Sequence, residues 1–263
     1  MNQPNVTSSS LPVGDLQPHP AAVSIWWRRV LPCLAATTVA WAGCSAPSSA
    51  SSTKAEAGTV SKPVSAPAKT APAAAGQSLF DGRTLAGWKL SGFAGGGEVT
   101  VDPNFRGGGP ALVINAGASL SGLTFTNPVP KTNFEITLEA LKVQGNDFFC
   151  GLTFPVGTNH ATLVLGGWGG ATVGISSIDG LDASENDTTK FLTFPKDKWF
   201  TIRMKVTPTK LEAWINDEKI VDQDIKDRRI SMRFGEIEES VPLGIATYQT
   251  TSVMRNLRLK RLE

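Results

Sequence analysis

Cysteine is nearly missing from this chain: 263 residues hold three, Cys33, Cys44 and Cys150. Cys33 lies in a short apolar run near the start and Cys44 at its end, so Cys150 stands alone in the remainder and no internal disulfide forms there. Phe148, Phe149 and Leu152 surround it in sequence, which reads as packing rather than as a reactive thiol. Histidine is scarcer, with His19 and His160 only. One histidine without a cysteine partner excludes an ordinary zinc centre. No Gly-Xaa-Ser-Xaa-Gly elbow, phosphate-cradling loop or dinucleotide fingerprint occurs. An excess of one charge is absent too. The chain carries a formal +2, and from Gln77 to Glu263 there are 20 Lys and Arg against 21 Asp and Glu, a net −1. That balance leaves no electrostatic footprint for nucleic acid. No window sustains a 3.6-residue apolar period, so a helical fold is excluded as well.

What is present begins with an address. Trp26-Trp27-Arg28-Arg29 precedes an apolar run from Val30 to Gly43, and Ala42-Gly43 precedes Cys44. The run is 14 residues long, short of the ~20 a spanning helix needs. This is the layout of a secretory signal over 1–44 with a lipoprotein-type cleavage site, and it resembles bacterial lipoproteins. It predicts Cys44 as a lipid-carrying mature N-terminus and a location in the bacterial cell envelope, facing periplasm or exterior. Residues 45–76 are Ser, Ala, Pro and Thr with a few Lys and no aromatic residue. Such a segment buries too little apolar area to offset ordering entropy and reads as a tether.

From Ser78 onward, short runs of Val, Ile, Phe and Thr alternate with Gly, Pro, Asn and Asp clusters. Strands are predicted near 98–101, 111–114, 119–126, 133–143, 147–154, 161–165, 171–176, 199–206, 210–216, 219–223, 243–248 and 252–261. This spacing is that of an all-β sandwich or barrel. Phe134, Ile136, Leu138 and Ala140 share one face of their strand, and Glu135, Thr137 and Glu139 the other. Phe200, Ile202, Met204 and Val206 alternate likewise, as do Leu211, Ala213 and Ile215 against Glu212 and Trp214. One-sided strands fit antiparallel sheets with one packed face. Asn216-Asp217 reads as a tight hairpin turn.

The domain opens with Ser78-Leu79-Phe80-Asp81-Gly82-Arg83-Thr84-Leu85-Ala86-Gly87-Trp88 and closes with Val253-Met254-Arg255-Asn256-Leu257-Arg258-Leu259. Both phrases resemble the 3-keto-disaccharide hydrolase domain family, as do Lys198–Ile202 and Trp214-Ile215-Asn216 with Lys219-Ile220-Val221. The resemblance spans 78–262. It implies a concanavalin A-like jelly-roll sandwich of two antiparallel sheets over 77–263, in an exported carbohydrate-active protein. Between the two ends, Gly145–Phe154 keeps the Asn and Gly of the family's phrase but not its Arg, and His160–Trp168 holds no carboxylate.

Two functions stay open. One is an enzyme acting on oxidised disaccharides with a general acid and a general base on the concave sheet. The other is a lectin-like module binding a glycan or surface without catalysis. Glu135 and Glu139 share a face, but four strand residues separate their backbones by roughly 13 Å, poor geometry for a carboxylate dyad, and a solvated polar face is the plainer reading. Glu139 and Asp147 are the carboxylates that would serve catalysis. Asn146 and Asp147 follow Gly145 at a strand start and would bind sugar hydroxyls unless they only make a turn. Trp168, in Leu165-Gly166-Gly167-Trp168-Gly169-Gly170, is an indole its neighbours cannot cover, suited to stacking on a pyranose or to plugging the sandwich end. His160 follows the turn Pro155–Asn159 and reads as a solvent-exposed loop histidine, one that would act near neutral pH if it faced substrate. Asp179, Asp182, Glu185 and Asp187 crowd one loop; they read as a solvated acidic loop, calcium is the only ion they suggest, and their spacing matches no EF-hand. Glu236-Ile237-Glu238-Glu239 reads as a solvated run. No other cofactor is expected, and the partners expected are a glycan and, through the lipid, a membrane.

Overall fold

A computed structural model describes residues 76–263. The signal segment, Cys33, Cys44 and the tether before Gly76 lie outside the described residues. Among these residues fifteen strands follow in chain order. β1 to β5 are Gln77–Ser78, Trp88–Leu90, Val99–Asp102, Ala111–Ile114 and Leu120–Phe125. β6 to β10 are Phe134–Gln144, Cys150–Val156, Asn159–Gly166, Thr172–Ser176 and Lys190–Phe191. β11 to β15 are Trp199–Val206, Lys210–Ile215, Glu218–Asp224, Gly244–Tyr248 and Thr251–Arg261.

Alternation decides how these strands assemble. Phe134, Ile136, Leu138 and Ala140 of β6 meet Phe200, Ile202, Met204 and Val206 of β11 in one core. Leu211 and Ala213 of β12 join them there, with Leu163 and Leu165 of β8 and Val173 and Ile175 of β9. Two antiparallel sheets enclose that core. The first runs β13-β12-β11-β6-β15-β4-β3, with β1 also paired to β15. The second runs β10-β9-β8-β7-β14-β5-β2. Consecutive strands pair in β3-β4, β7 to β10 and β11 to β13, but the chain also crosses between sheets repeatedly, so neighbours such as β6 and β15 or β5 and β14 are distant in sequence. This is the jelly-roll sandwich expected. Among the described residues no helix is long and apolar enough to cross a membrane.

The opening phrase builds structure rather than a site. Asp81 accepts hydrogen bonds from the Arg83 and Thr84 N–H groups and the Thr84 hydroxyl, at 2.8, 2.7 and 2.6 Å. The Thr84 hydroxyl and these backbone donors pull its carboxyl down to about 2. Trp88 is buried and donates its indole N–H to the Leu79 carbonyl at 2.7 Å. The β12–β13 turn is Asn216-Asp217 as expected; Asn216 takes φ 56°, a left-handed conformation that Asn tolerates. Cys150 is fully buried, and desolvation pushes its thiol up to about 12.

Candidate functional site

A cleft of about 420 Å³ lies on the outer face of the second sheet. Residues of that sheet with side chains away from the core form its floor: Leu120 of β5, Thr162 and Val164 of β8, Ser176 of β9 and Tyr248 of β14. Small neighbours, Gly151 and Ala246, lie between them in the sheet and keep the floor low. A Cβ at Gly151 would stand 3.1 Å from the Phe148 ring, so glycine lets that ring lie along β7.

One wall is the turn Gly167–Gly170 together with Asp147 and Phe148. Trp168 sits at its tip, 45% exposed, although flanked by strands. The cleft is also lined by a strap between β13 and β14 that contributes Arg233, Phe234, Glu236 and Ile237. Phe234 is 94% exposed. The strap is tied down at several points. Ser177 and Ser231 exchange backbone hydrogen bonds at 2.8 and 3.2 Å. Arg233 Nη1 donates to Asp182 Oδ2 at 2.5 Å, and Asp182 Oδ1 accepts from the Ser176 and Ser177 hydroxyls at 2.9 and 3.1 Å. Glu236 accepts from the Ala94 N–H and the Ser119 hydroxyl, both at 3.1 Å. The Arg233 guanidinium stands 5.8 Å from the Trp168 ring centroid, at the outer limit of a cation–π contact.

The arrangement offers aromatic surface on both the turn and the strap, with polar groups in the same cleft. The carboxylates of Asp147 and Glu236 already accept from protein donors with both oxygens. Tyr248 and Arg233 line the cleft, and among the described residues no protein group hydrogen-bonds the Tyr248 hydroxyl or Arg233 Nε.

Trp168 and Asp147 line this cleft together. Asn146 is exposed beside the Trp168 turn and does not line the cleft. Glu135 and Glu139 project from β6, on the other sheet, and are not brought to the cleft. Glu135 pairs with Arg203 at 3.2 Å. Glu139 accepts from Arg255 Nε at 2.7 Å and Asn256 Nδ2 at 2.9 Å. The closing family phrase therefore supplies the partners of Glu139. His160 lies half-buried at the start of β8, paired with Pro155, outside the cleft; burial, then nearby Lys131, lower its pKa. The acidic loop spends Asp179 and Asp187 on Arg228 and Asp182 on Arg233. Among the described residues no group of three or more His, Cys, Asp and Glu is arranged to hold a metal ion.

Arg233, Phe234, Glu236 and Tyr248 were not singled out from sequence. The signal for Phe234 was an aromatic residue beside Gly235 in a polar loop, the pattern that marked Trp168. Glu236 opens the run that reads as solvated, and its backbone and Ser119 contacts set it apart.

Solved structures of similar fold include the carbohydrate-binding module CBM66 from Bacillus subtilis, 13% identical, covering 66% of this chain and 95% of that one with a TM-score of 0.43. Domain 4 of AbnA, a GH43 extracellular arabinanase from Geobacillus stearothermophilus solved with arabinotriose, is 13% identical, with 66% and 82% covered and a TM-score of 0.43. An alginate lyase from Corynebacterium sp. is 10% identical, with 67% and 94% covered and a TM-score of 0.42. At these identities none of the likenesses carries an activity across. No curated protein matches the chain. The match that does cover most of the sequence agrees with both end phrases and with the sandwich they build: residues 75–260 fit the 3-keto-alpha-glucoside-1,2-lyase-like domain, and the chain belongs to that family.

Proposed function

We propose that this domain binds a carbohydrate in the cleft on its second sheet, holding a sugar ring between Trp168 and Phe234, and that it does so as a binding module. The observation that carries this reading is the pair of exposed aromatic residues, Trp168 and Phe234, that line one cleft above a low floor. A sugar's apolar C–H face gains by covering an aromatic ring. Tyr248 and Arg233 would then take ring hydroxyls. Family membership favours a 3-keto-α-glucoside as the class of sugar.

The same membership favours a second reading, an enzyme. A ketone at C3 acidifies the proton on C2. A base removes it, a double bond forms between C1 and C2, and the C1–O bond breaks. The departing oxygen takes a proton, leaving an unsaturated 3-keto sugar and a free alcohol. Asp147, Glu236 and Tyr248 are the cleft groups able to exchange protons in such a step. Binding is favoured because both carboxylates are committed to protein donors.

Calorimetry with methyl α-glucoside and its 3-keto form, followed by ultraviolet absorbance for the conjugated product, tests both. The binding reading expects saturable binding without product, weakened about tenfold by Trp168→Ala. Product that disappears in the Trp168→Ala protein establishes the enzyme instead. No binding of either sugar defeats both readings of the cleft.

We further propose export and a lipid on Cys44, supported by Arg28-Arg29, the apolar run and Ala42-Gly43. Cys44→Ser then moves the protein from membrane to soluble fractions; unchanged membrane association rules the anchor out.

A further inference from the structure

The Trp168 turn is unfavourable on its own. Trp168 has φ 50° and ψ 53°, and Gly169 and Gly170 follow at φ 88° and 107°. A bulky residue in the left-handed region is an outlier that persists only when its surroundings hold it. The contact that holds it is a carboxylate. Asp147 Oδ2 accepts the Gly169 N–H at 3.1 Å, while Asp147 Oδ1 accepts the Phe148 N–H at 2.7 Å and so fixes the carboxylate's plane. Asp147 is itself pinned, donating its N–H to the hydroxyl of buried Thr250 at 3.3 Å. The two backbone segments interlock closely. A Cβ at Gly170 would lie 2.9 Å from the Asn146 carbonyl oxygen, and one at Gly145 would lie 2.5 Å from the Thr250 hydroxyl.

We propose that Asp147 is a positioning residue whose carboxylate orients the Trp168 indole for the ligand, acting as a hydrogen-bond acceptor for the turn rather than as an acid, a base or a ligand contact. The inference rests on the stacking role assigned to Trp168. Both oxygens of Asp147 are aimed at backbone donors of the Trp168 turn and of its own loop before β7, and a ligand reaching it would have to compete with them. The acceptor, not the negative charge, is what the Gly169 N–H requires.

A double-mutant cycle on the full chain tests this. The parent, Asp147→Ala, Trp168→Ala and the double variant are titrated with methyl 3-keto-α-glucoside. Each is also labelled with 5-fluorotryptophan and examined by fluorine NMR, the Trp168 signal being the one lost in Trp168→Phe. Asp147→Ala is expected to weaken binding about tenfold in the parent background and to change it less than twofold once Trp168 is gone. Its fluorine spectrum is expected to shift and broaden the Trp168 signal alone. Asp147→Asn, which keeps one acceptor, should recover part of the lost affinity, and it replaces Asp147→Ala if that variant fails to fold. An equal loss in both backgrounds overturns the proposal, since Asp147 then touches the sugar directly. So do an unmoved Trp168 signal and an Asn variant no better than Ala. If Trp168→Ala leaves binding intact while Asp147→Ala still displaces the Trp168 signal, positioning stands and the stacking role of the indole fails.

Discussion

Glu212 accepts a hydrogen bond from Lys219 Nζ at 2.6 Å on the outer face of the first sheet. Lys205 reaches its other oxygen at 2.9 Å, and Lys219 also lies 5.1 Å from the Trp214 ring, whose face Arg203 covers at 3.6 Å. The carboxylate is nearly buried within this group. The hydrogen bonds from Lys219 and Lys205 lower its pKa. Folding therefore favours the ionised form. That stability is present above the ordinary glutamate value of about 4.3 and is lost as pH falls through the lowered folded-state value. Glu212→Gln should cost about 1–2 kcal/mol near pH 7. The gap to the parent in melting experiments should close as the medium is acidified below the carboxylate range. A gap that persists in strong acid would mean that packing, not charge, is what Glu212 contributes.

Two glycines near the cleft should answer differently to the same added methyl group. At Gly145, with φ 103°, a Cβ meets Thr250 and the Gln249 carbonyl at 2.5 and 2.6 Å. Backbone and a buried side chain cannot yield, so Gly145→Ala is expected to destabilise by about 2–4 kcal/mol. At Gly151 the first obstacle is the Phe148 ring at 3.1 Å. That ring can swing, but into the cleft. Gly151→Ala should keep most of its stability and weaken sugar binding; denaturant midpoints and calorimetry on the two proteins check the contrast.

Phe234 offers a cleaner separation of stability from binding. Its ring is almost wholly solvated, so Phe234→Ala should change stability by no more than about 0.5 kcal/mol. Affinity for methyl 3-keto-α-glucoside should fall severalfold. Unchanged affinity would remove one wall from the proposed site.

His160 gives the opposite pH signature to an ion-paired histidine. Burial, with Lys131 adding to it, lowers its pKa below the ordinary 6.5. The unfolded chain then binds the proton more readily than the fold does, and stability falls as pH drops from about 6.5 through the lowered value. The parent should lose stability relative to His160→Gln over that interval. Parallel pH profiles would show that the imidazole is not desolvated.

Most of the architecture is visible in the sequence because alternation is strong wherever one face is buried. β11 shows it throughout and β6 from Phe134 to Ala140, and Asn216-Asp217 marks the turn after β12. β1, β2 and β10 escape because two or three residues carry no period. The site was legible only where a residue was anomalous by itself, as Trp168 is among its glycines. Glu135 and Glu139 attract attention as a pair, yet alternation says only that they share a face, not which sheet faces the ligand. Tyr248 and Ser119 reach one cleft through a β14–β5 pairing that joins positions more than 100 residues apart, and local pattern holds no trace of such a pairing. The strap is harder still, since its Ser231, Arg233 and Glu236 are held by Ser177, Asp182, Ala94 and Ser119, partners remote in sequence.

The burial of Cys150 makes the folded domain a blank background for thiol chemistry. A thiol held near 12 and walled in by the core stays protonated and out of reach of alkylating reagents while the fold is intact. A single cysteine introduced at the strap tip through Phe234→Cys would therefore be the one group in residues 76–263 that such a reagent can find. A fluorophore or spin label placed there would report on the mouth of the cleft without removing the native cysteine first.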